Sequence, residues 1–309
     1  MPGPTPTRAV GKPERTGRNT METSTISAAD KASGFIEIMR VPNCFMMGFA
    51  VIIGEFMSLG PTMPVYSAVI GFLVGFILVA GSMPINDILD AEIDAINSPR
   101  RPIPSGRVSK TEAGAFAAIT LMVGLSLAFL LSALNLLIAI VAVGLMLYYN
   151  RFGKKTGLLG NAVVSATLAI PFIFGGAMGG VSATLQVFAM LAFLAGMGRE
   201  VIKGMADVAG DSRRGVRTLA VTSGLSVASK VGAFFFVIAV LLSIAPIALK
   251  MISWLYVPIV LVCDMGFLYS AFMIIRDPSP RNALRSKNQA LAWMLVGLIA
   301  FIAGGLNFG

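Results

Sequence analysis

The chain has 309 residues, 56% apolar and only 13% charged, with a mean hydropathy of +0.82. A soluble domain carries about 25% charged residues, so this composition excludes a disordered chain, a coiled coil and most soluble enzymes, and points to an all-α, multi-pass membrane protein. The net charge of +9 is concentrated in short loops beside apolar spans, and no basic–aromatic patch accompanies it; topology accounts for it, and nucleic acid is excluded as a partner.

Residues 1–33 are rich in Pro, Gly, Thr, Ser and charge and lack a signal-peptide core. They are expected to form a disordered tail, with Met21 as a second candidate start, ahead of one transmembrane domain over 34–309. Nine apolar segments follow, near 41–60, 65–95, 112–133, 135–151, 158–179, 184–206, 224–248, 251–276 and 288–307. Each is long enough to cross a bilayer as a helix. Basic residues follow the even-numbered spans: Arg100, Arg101, Arg107 and Lys110; Arg151, Lys154 and Lys155; Arg213, Arg214 and Arg217; Arg276, Arg281, Arg285 and Lys287. The opposite loops hold only Lys250. The positive-inside rule then places the N-terminus and the even-numbered loops in the cytoplasm and the C-terminus outside.

Histidine is absent, and the two cysteines, Cys44 and Cys263, lie in separate apolar runs, where packing is the expected role. Zinc on thiolate or imidazole, His-based triads and His-ligated haem are excluded, so any metal must take oxygen ligands, which suits Mg²⁺. Asp264 falls near the middle of the eighth span and is a functional candidate by position. Glu55 is expected near the outer interface, and Trp254 and Tyr256 in an interfacial aromatic belt.

Seven of the 15 acidic residues fall in two short stretches, Asn86–Asp94 and Gly198–Asp211, at the ends of the second and sixth spans. At 100° per residue, Asn86, Asp90 and Asp94 share an arc of about 80°, with Asp87 just beyond it. Glu200, Lys203, Asp207 and Asp211 share a similar arc if their helix persists that far. Carboxylates stacked four residues apart repel one another, and each is costly near lipid. Divalent cations offset that repulsion, and Mg²⁺ held this way keeps phosphate oxygens among its ligands. Arg40, Arg101, Lys154, Lys203 and Arg213 are the cations placed to neutralise a diphosphate as its charge grows.

The stretch N-D-I-L-D-A-E-I-D followed by R-P-I-P-S-G (Asn86 to Gly106) resembles the first aspartate-rich motif of the UbiA-type membrane prenyltransferases. R-E-V-I-K-G-M-A-D-V-A-G-D (Arg199 to Asp211) resembles the second, and M-R-V-P-N, Y-Y-N-R-F-G-K-K, G-N (Gly160, Asn161) and R-T-L-A also match. The resemblance implies nine helices around a central cavity with both motifs at its cytoplasmic mouth. It implies Mg²⁺ coordination by Asn86, Asp90, Asp94, Asp207 and Asp211. Diphosphate contacts are implied for Arg40, Asn43, Tyr149, Lys154 and Lys203, with the neighbours Tyr148 and Lys155 as alternatives.

The second motif is most similar to that of an archaeal subgroup acting in ether-lipid synthesis, although Gly204 stands where that subgroup carries Asp. This implies Mg²⁺-dependent transfer of a prenyl group, expected to be geranylgeranyl, from its diphosphate to geranylgeranylglyceryl phosphate. Asp90, Asp207 and Lys154 would be catalytic, and Arg213 or Arg214 would meet the acceptor's phosphate. An aromatic acceptor, as in quinone or chlorophyll-type synthesis, is the alternative within the family. An ion-coupled transporter is the alternative outside it, though transporters place their charged sites near the bilayer midplane.

Overall fold

The computed structural model describes residues 26–306 except Arg214, together with Met1 and Gly3; for Ile93 and Asn97 it describes the backbone alone. The described residues form α-helices joined by short loops: α1 Ala28–Met39, α2 Val41–Leu59, α3 Val65–Asn97, α4 Lys110–Leu131, α5 Ala133–Arg151, α6 Leu158–Gly176 and α7 Ala183–Ala206. After them come α8 Val208–Arg213, α9 Leu219–Ser223, α10 Leu225–Ser243, α11 Ala245–Ala248, α12 Tyr256–Arg276 and α13 Pro280–Gly305. Among the described residues, nine helical stretches are long and apolar enough to cross a membrane: α2 to α7, α10 with α11, α12 and α13. Their bounds follow the hydropathy reading closely, except that the last begins at Pro280, because Ser279 caps it over the Asn282 amide and Pro280 sits in its first turn.

The end of the expected 1–33 tail belongs to a helix. Helix α1 starts at Ala28, capped by Ser27, so residues 28–33 are helical, while residues 4–25 lie outside the described part. Helix α1 lies across the bundle end: Ile38 packs with Val108 and Ala113, and Phe35 meets Phe116 at 5.3 Å between ring centres.

Small residues and caps set the helix contacts. A methyl on Gly175 of α6 would overlap the Val51 carbonyl of α2, and one on Gly54 would overlap the Phe172 carbonyl of α6; only glycine permits this backbone approach. Asn135, fully buried on α5, donates to the Phe174 carbonyl at 2.7 Å and ties α5 to α6. Ser109 and Glu112 form a reciprocal capping box at the start of α4. The largest core layer joins α7, α10, α12 and α13 through Ile202, Met205, Phe236, Phe267, Ile274 and Ala290.

Two expectations about polar and aromatic side chains are corrected. Glu55 is fully buried among neighbouring helices rather than exposed; the Ser67 hydroxyl donates to its Oε1, and its Oε2 has no hydrogen-bond partner among the described residues. Tyr256 is fully buried in a stack with Phe188 and Phe301, whereas Trp254 is exposed as a belt residue would be. Sequence position placed both Glu55 and Tyr256 at a helix end, but neighbouring helices cover them there. Both cysteines are free and buried.

Candidate active site

The site is assembled at the end of the bundle where α1 meets α2, where α3, α5 and α7 terminate and where α6 begins. Arg40 joins α1 to α2 in the left-handed region (φ 54°, ψ 56°). A non-glycine residue there carries a backbone cost that the surroundings must hold, a pattern concentrated at functional sites. What holds it is the Arg40 N–H bond to the Glu37 carbonyl and an ion pair from Arg40 Nη2 to Asp87 Oδ1 at 2.7 Å. Asn43 follows in the first turn of α2, half-buried.

Helix α3 carries Pro84 in its interior. Proline removes one rung of the hydrogen-bond ladder, and the last three turns, bearing Asn86, Asp87, Asp90 and Asp94, follow it. Each of these carboxylates has a cation. Asp87 pairs with Arg40 and accepts from the Asn86 side-chain amide at 3.3 Å. Asp90 pairs with Lys154 at 2.6 Å, and Asp94 with Arg101 at 2.6 Å.

The R-P-I-P-S-G segment positions Arg101. Its amide donates to the Ser98 carbonyl and its carbonyl accepts from the Ser105 amide, both at 2.9 Å. Gly106 supplies the positive φ of 77° that turns the chain back, and Val108 locks into the α1 contact. Burial works against the Arg101 charge, but Asp94, with Asp87 and Asp90 behind it, raises the guanidinium pKa above its ordinary value.

Lys154 projects from a tight 3₁₀ turn, Gly153–Lys155, after α5. A methyl on Gly160 would overlap the Gly153 carbonyl, so glycine lets α6 start against this turn. Burial pushes the Lys154 ammonium below the ordinary lysine range, opposed by the Asp90 carboxylate and reinforced by Lys203 and Arg40 nearby. Lys155, its alternative, is exposed, as is Tyr148.

On α7, the buried Glu200 bonds Arg199 at 2.9 Å and Lys203 at 3.0 Å. Tyr149 of α5 lies in the field of Lys203, Glu200, Asp90 and Asp211. Tyr149 is thus within electrostatic reach of both acidic stretches, and Lys154, bonded to Asp90, is within reach of the like charges of Lys203 and Arg40. Residues more than a hundred positions apart thus share one electrostatic neighbourhood.

The second stripe is not one uninterrupted helix. Helix α7 stops at Ala206, Asp207 caps it with an exposed side chain, and Asp211 follows on α8. Amide bonds from Asp207 to the Lys203 carbonyl and from Asp211 to the Asp207 carbonyl carry the register across the break. Arg213 is exposed at the end of α8, and Arg214 lies outside the described residues.

Among the described residues no three carboxylates gather into a ready-made metal cage; the acids are spread along two stripes and largely paired with cations. The donor set still suits Mg²⁺, which binds through one or two carboxylates while substrate phosphates and water complete its shell. Two members of the cluster lay outside the sequence-derived site. Asp87 sits seven residues before Asp94, about 20° away around the helix, and that spacing was its available signal. Glu200 was visible on the second arc, but its burial between two cations was not.

The profile of the UbiA prenyltransferase family matches residues 47–299. Digeranylgeranylglyceryl phosphate synthase of Methanothermobacter thermautotrophicus is 37% identical over 270 residues, spanning 87% of this chain and 95% of the relative. The synthase of the same name from Methanocaldococcus jannaschii is 32% identical, over 90% and 98%. A solved structure of a digeranylgeranylglyceryl phosphate synthase superposes with a TM-score of 0.73 at 31% identity, covering 89% of this chain and 99% of that one. A UbiA homologue from Archaeoglobus fulgidus bound to DMAPP and Mg²⁺ shares the fold, with a TM-score of 0.65 at 18% identity over 87% and 99%. The chain belongs to the UbiA prenyltransferase family.

Proposed function

We propose that this protein transfers a geranylgeranyl group from geranylgeranyl diphosphate to the free hydroxyl of geranylgeranylglyceryl phosphate, forming the second ether bond of an archaeal membrane lipid. The observation that carries the reading is the meeting of Asp90, Lys154, Tyr149 and Lys203 at one end of an apolar helix bundle. The archaeal synthases that match nearly the whole chain support the acceptor. The loops at this end carry the basic residues, so the site faces the cytoplasm at the cell membrane.

In this reading Arg40, Arg101, Lys154 and Lys203, with Asn43 and Tyr149, hold the diphosphate. Their fixed charges oppose the negative charge that grows as the allylic C1–O bond breaks and its electron pair passes to the leaving diphosphate. Mg²⁺, held by Asn86, Asp90, Asp94, Asp207 and Asp211, supplies further charge neutralisation when bound. The acceptor hydroxyl oxygen forms the new bond to C1 and releases its proton. The apolar walls below the charged cluster keep water from taking the acceptor's place. Arg213, exposed at the end of α8, would meet the acceptor's phosphate, and Arg214 is assigned with it from the sequence alone.

Purified protein incubated with radiolabelled geranylgeranyl diphosphate, Mg²⁺ and geranylgeranylglyceryl phosphate should yield the diether phosphate. Product formation only with an aromatic acceptor would replace the proposed substrate, and no product with either would overturn the reading.

A further inference from the structure

Arg199 and Lys287 are cations at Glu200 that the mechanism leaves unused. Arg199 Nη1 meets the buried Glu200 carboxylate at 2.9 Å, and Arg199 Nε is buried with no hydrogen-bond partner among the described residues. Lys203 meets the other oxygen of the same carboxylate at 3.0 Å. Lys287, half-buried on the neighbouring α13, also acts on Glu200, and it makes no hydrogen bond or ion pair of its own among the described residues. Three cations thus surround one carboxylate, an excess of two positive charges. Charge held away from water without a counter-charge is costly, and a buried donor left unbonded adds to that cost. Lys203 meets the donor's diphosphate in the mechanism, so the remaining excess calls for a second anion.

Both residues lie on faces that turn inward. Ala192 and Ala195 of α7 line an apolar cavity between α2, α6, α7, α10, α12 and α13. Asp264 of α12 opens onto the same cavity, its Oδ2 accepting from the Ser243 hydroxyl at 2.8 Å. Arg199 follows the two alanines by seven and four residues, within about 40° of each around the helix. Met294 of α13 lines the cavity too, and Lys287 precedes it by seven residues, about 20° away. Continued toward the charged end of the bundle, the cavity-lining faces of α7 and α13 therefore carry Arg199 and Lys287. Arg199 also stands four residues from Lys203, about 6 Å along the helix axis.

We infer that Arg199 and Lys287 form an anion subsite for the acceptor's phosphate and so select an acceptor that carries one. This assignment rests on the acceptor proposed above, and it adds two held cations to Arg213 of the loop. The spacing suits the chemistry. In geranylgeranylglyceryl phosphate the free hydroxyl and the phosphate sit on neighbouring glycerol carbons. A hydroxyl poised at C1 of the donor therefore puts its phosphate about one helical turn from the diphosphate, the separation of Arg199 from Lys203. A guanidinium and an ammonium suit a phosphate monoester, whose charge matches the excess around Glu200. An acceptor without an anionic group leaves that excess unmatched.

The test separates acceptor from donor. Lys287→Met removes a charge without stranding a partner, and Arg199→Gln keeps a hydrogen-bond donor for Glu200. With saturating geranylgeranyl diphosphate and Mg²⁺, each variant should raise KM for geranylgeranylglyceryl phosphate about tenfold, the scale of one charge-assisted hydrogen bond, with kcat retained. The donor's Kd, measured without acceptor, should match that of wild type, and Lys287→Arg should restore the native acceptor KM. Transfer to the phosphate-free acceptor geranylgeranylglycerol should be the same in variants and wild type. An unchanged acceptor KM in either folded variant overturns the inference. An equal loss with both acceptors overturns it as well, as does a matching loss of donor binding, which would give these cations to the diphosphate. If Arg199→Gln does not fold, Lys287→Met carries the comparison. A wild type that makes no diether phosphate overturns the proposed acceptor itself, a failure seen before any variant is compared.

Discussion

Charged side chains near a bilayer survive in this protein by pairing. Side-chain exposure is 6% for Asp87 and 34% for Arg40, its partner. Removing Arg40 strands a buried carboxylate, and such losses cost about 3 kcal/mol in a dry interior and less where one partner meets water. Arg40→Met is therefore expected to lower thermal stability in detergent by about 1–3 kcal/mol. The double variant Arg40→Met with Asp87→Asn should recover part of the loss; equal melting of single and double variants would remove the pair from the argument. Asp90 and Lys154 belong to the proposed chemistry. Asp90→Asn and Lys154→Met should each lower kcat/KM for prenyl transfer by at least about a hundredfold, the scale of losing one placed charge at a reacting group, with folded yield retained. Near-native rates in either variant would detach that residue from the diphosphate. Of these side chains, Asp90 and Lys154 were legible as candidates from spacing and composition. Asp87 was not, because its role depends on Arg40, forty-seven positions away in sequence.

Helix character was the most readable property of the elements, since each span must satisfy its backbone internally in lipid and so must be a long apolar helix. Their interruptions were not readable in the same way. The break at Asp207 turns the expected second stripe into a cap and a short following helix, and it exposes Asp207 while Glu200 stays buried. Close approach between helices was equally hidden, because 33 glycines leave many candidate contacts. The α2–α6 crossing shows which ones matter. Gly175→Val should lower thermal stability or folded yield by at least about 1–3 kcal/mol through overpacking. The folded fraction should transfer prenyl groups at the native rate, because Gly175 ends α6 away from Lys154 and Asp90. A Gly175→Val protein as stable as wild type would show that the helices separate easily there.

At the scale of the whole molecule, orientation is a charge argument, and it is checkable because both native cysteines are buried and free. Lys250→Cys should react with a membrane-impermeant thiol reagent from outside intact cells, and Lys155→Cys only after the membrane is opened or inverted. The reverse pattern would place the site on the outer face. Chelation is the second whole-molecule test: stripping divalent ions should abolish transfer and added Mg²⁺ should restore it, whereas transfer that persists in excess chelator would remove the metal from the reading. Composition and periodicity by themselves determined the number and placement of the apolar spans, the basic loops between them and the existence of two acid-rich stretches. These are local properties, set by the length of helix a bilayer demands and by the cost of charge within it. Tertiary structure alone decided that Asp90 meets Lys154, that Tyr149 comes within electrostatic reach of both acidic stretches, that Glu55 and Tyr256 are buried and that Asp264 opens onto a cavity. The periodicity of a helix states which residues share its face, but which neighbour covers that face is settled only when all the helices pack together.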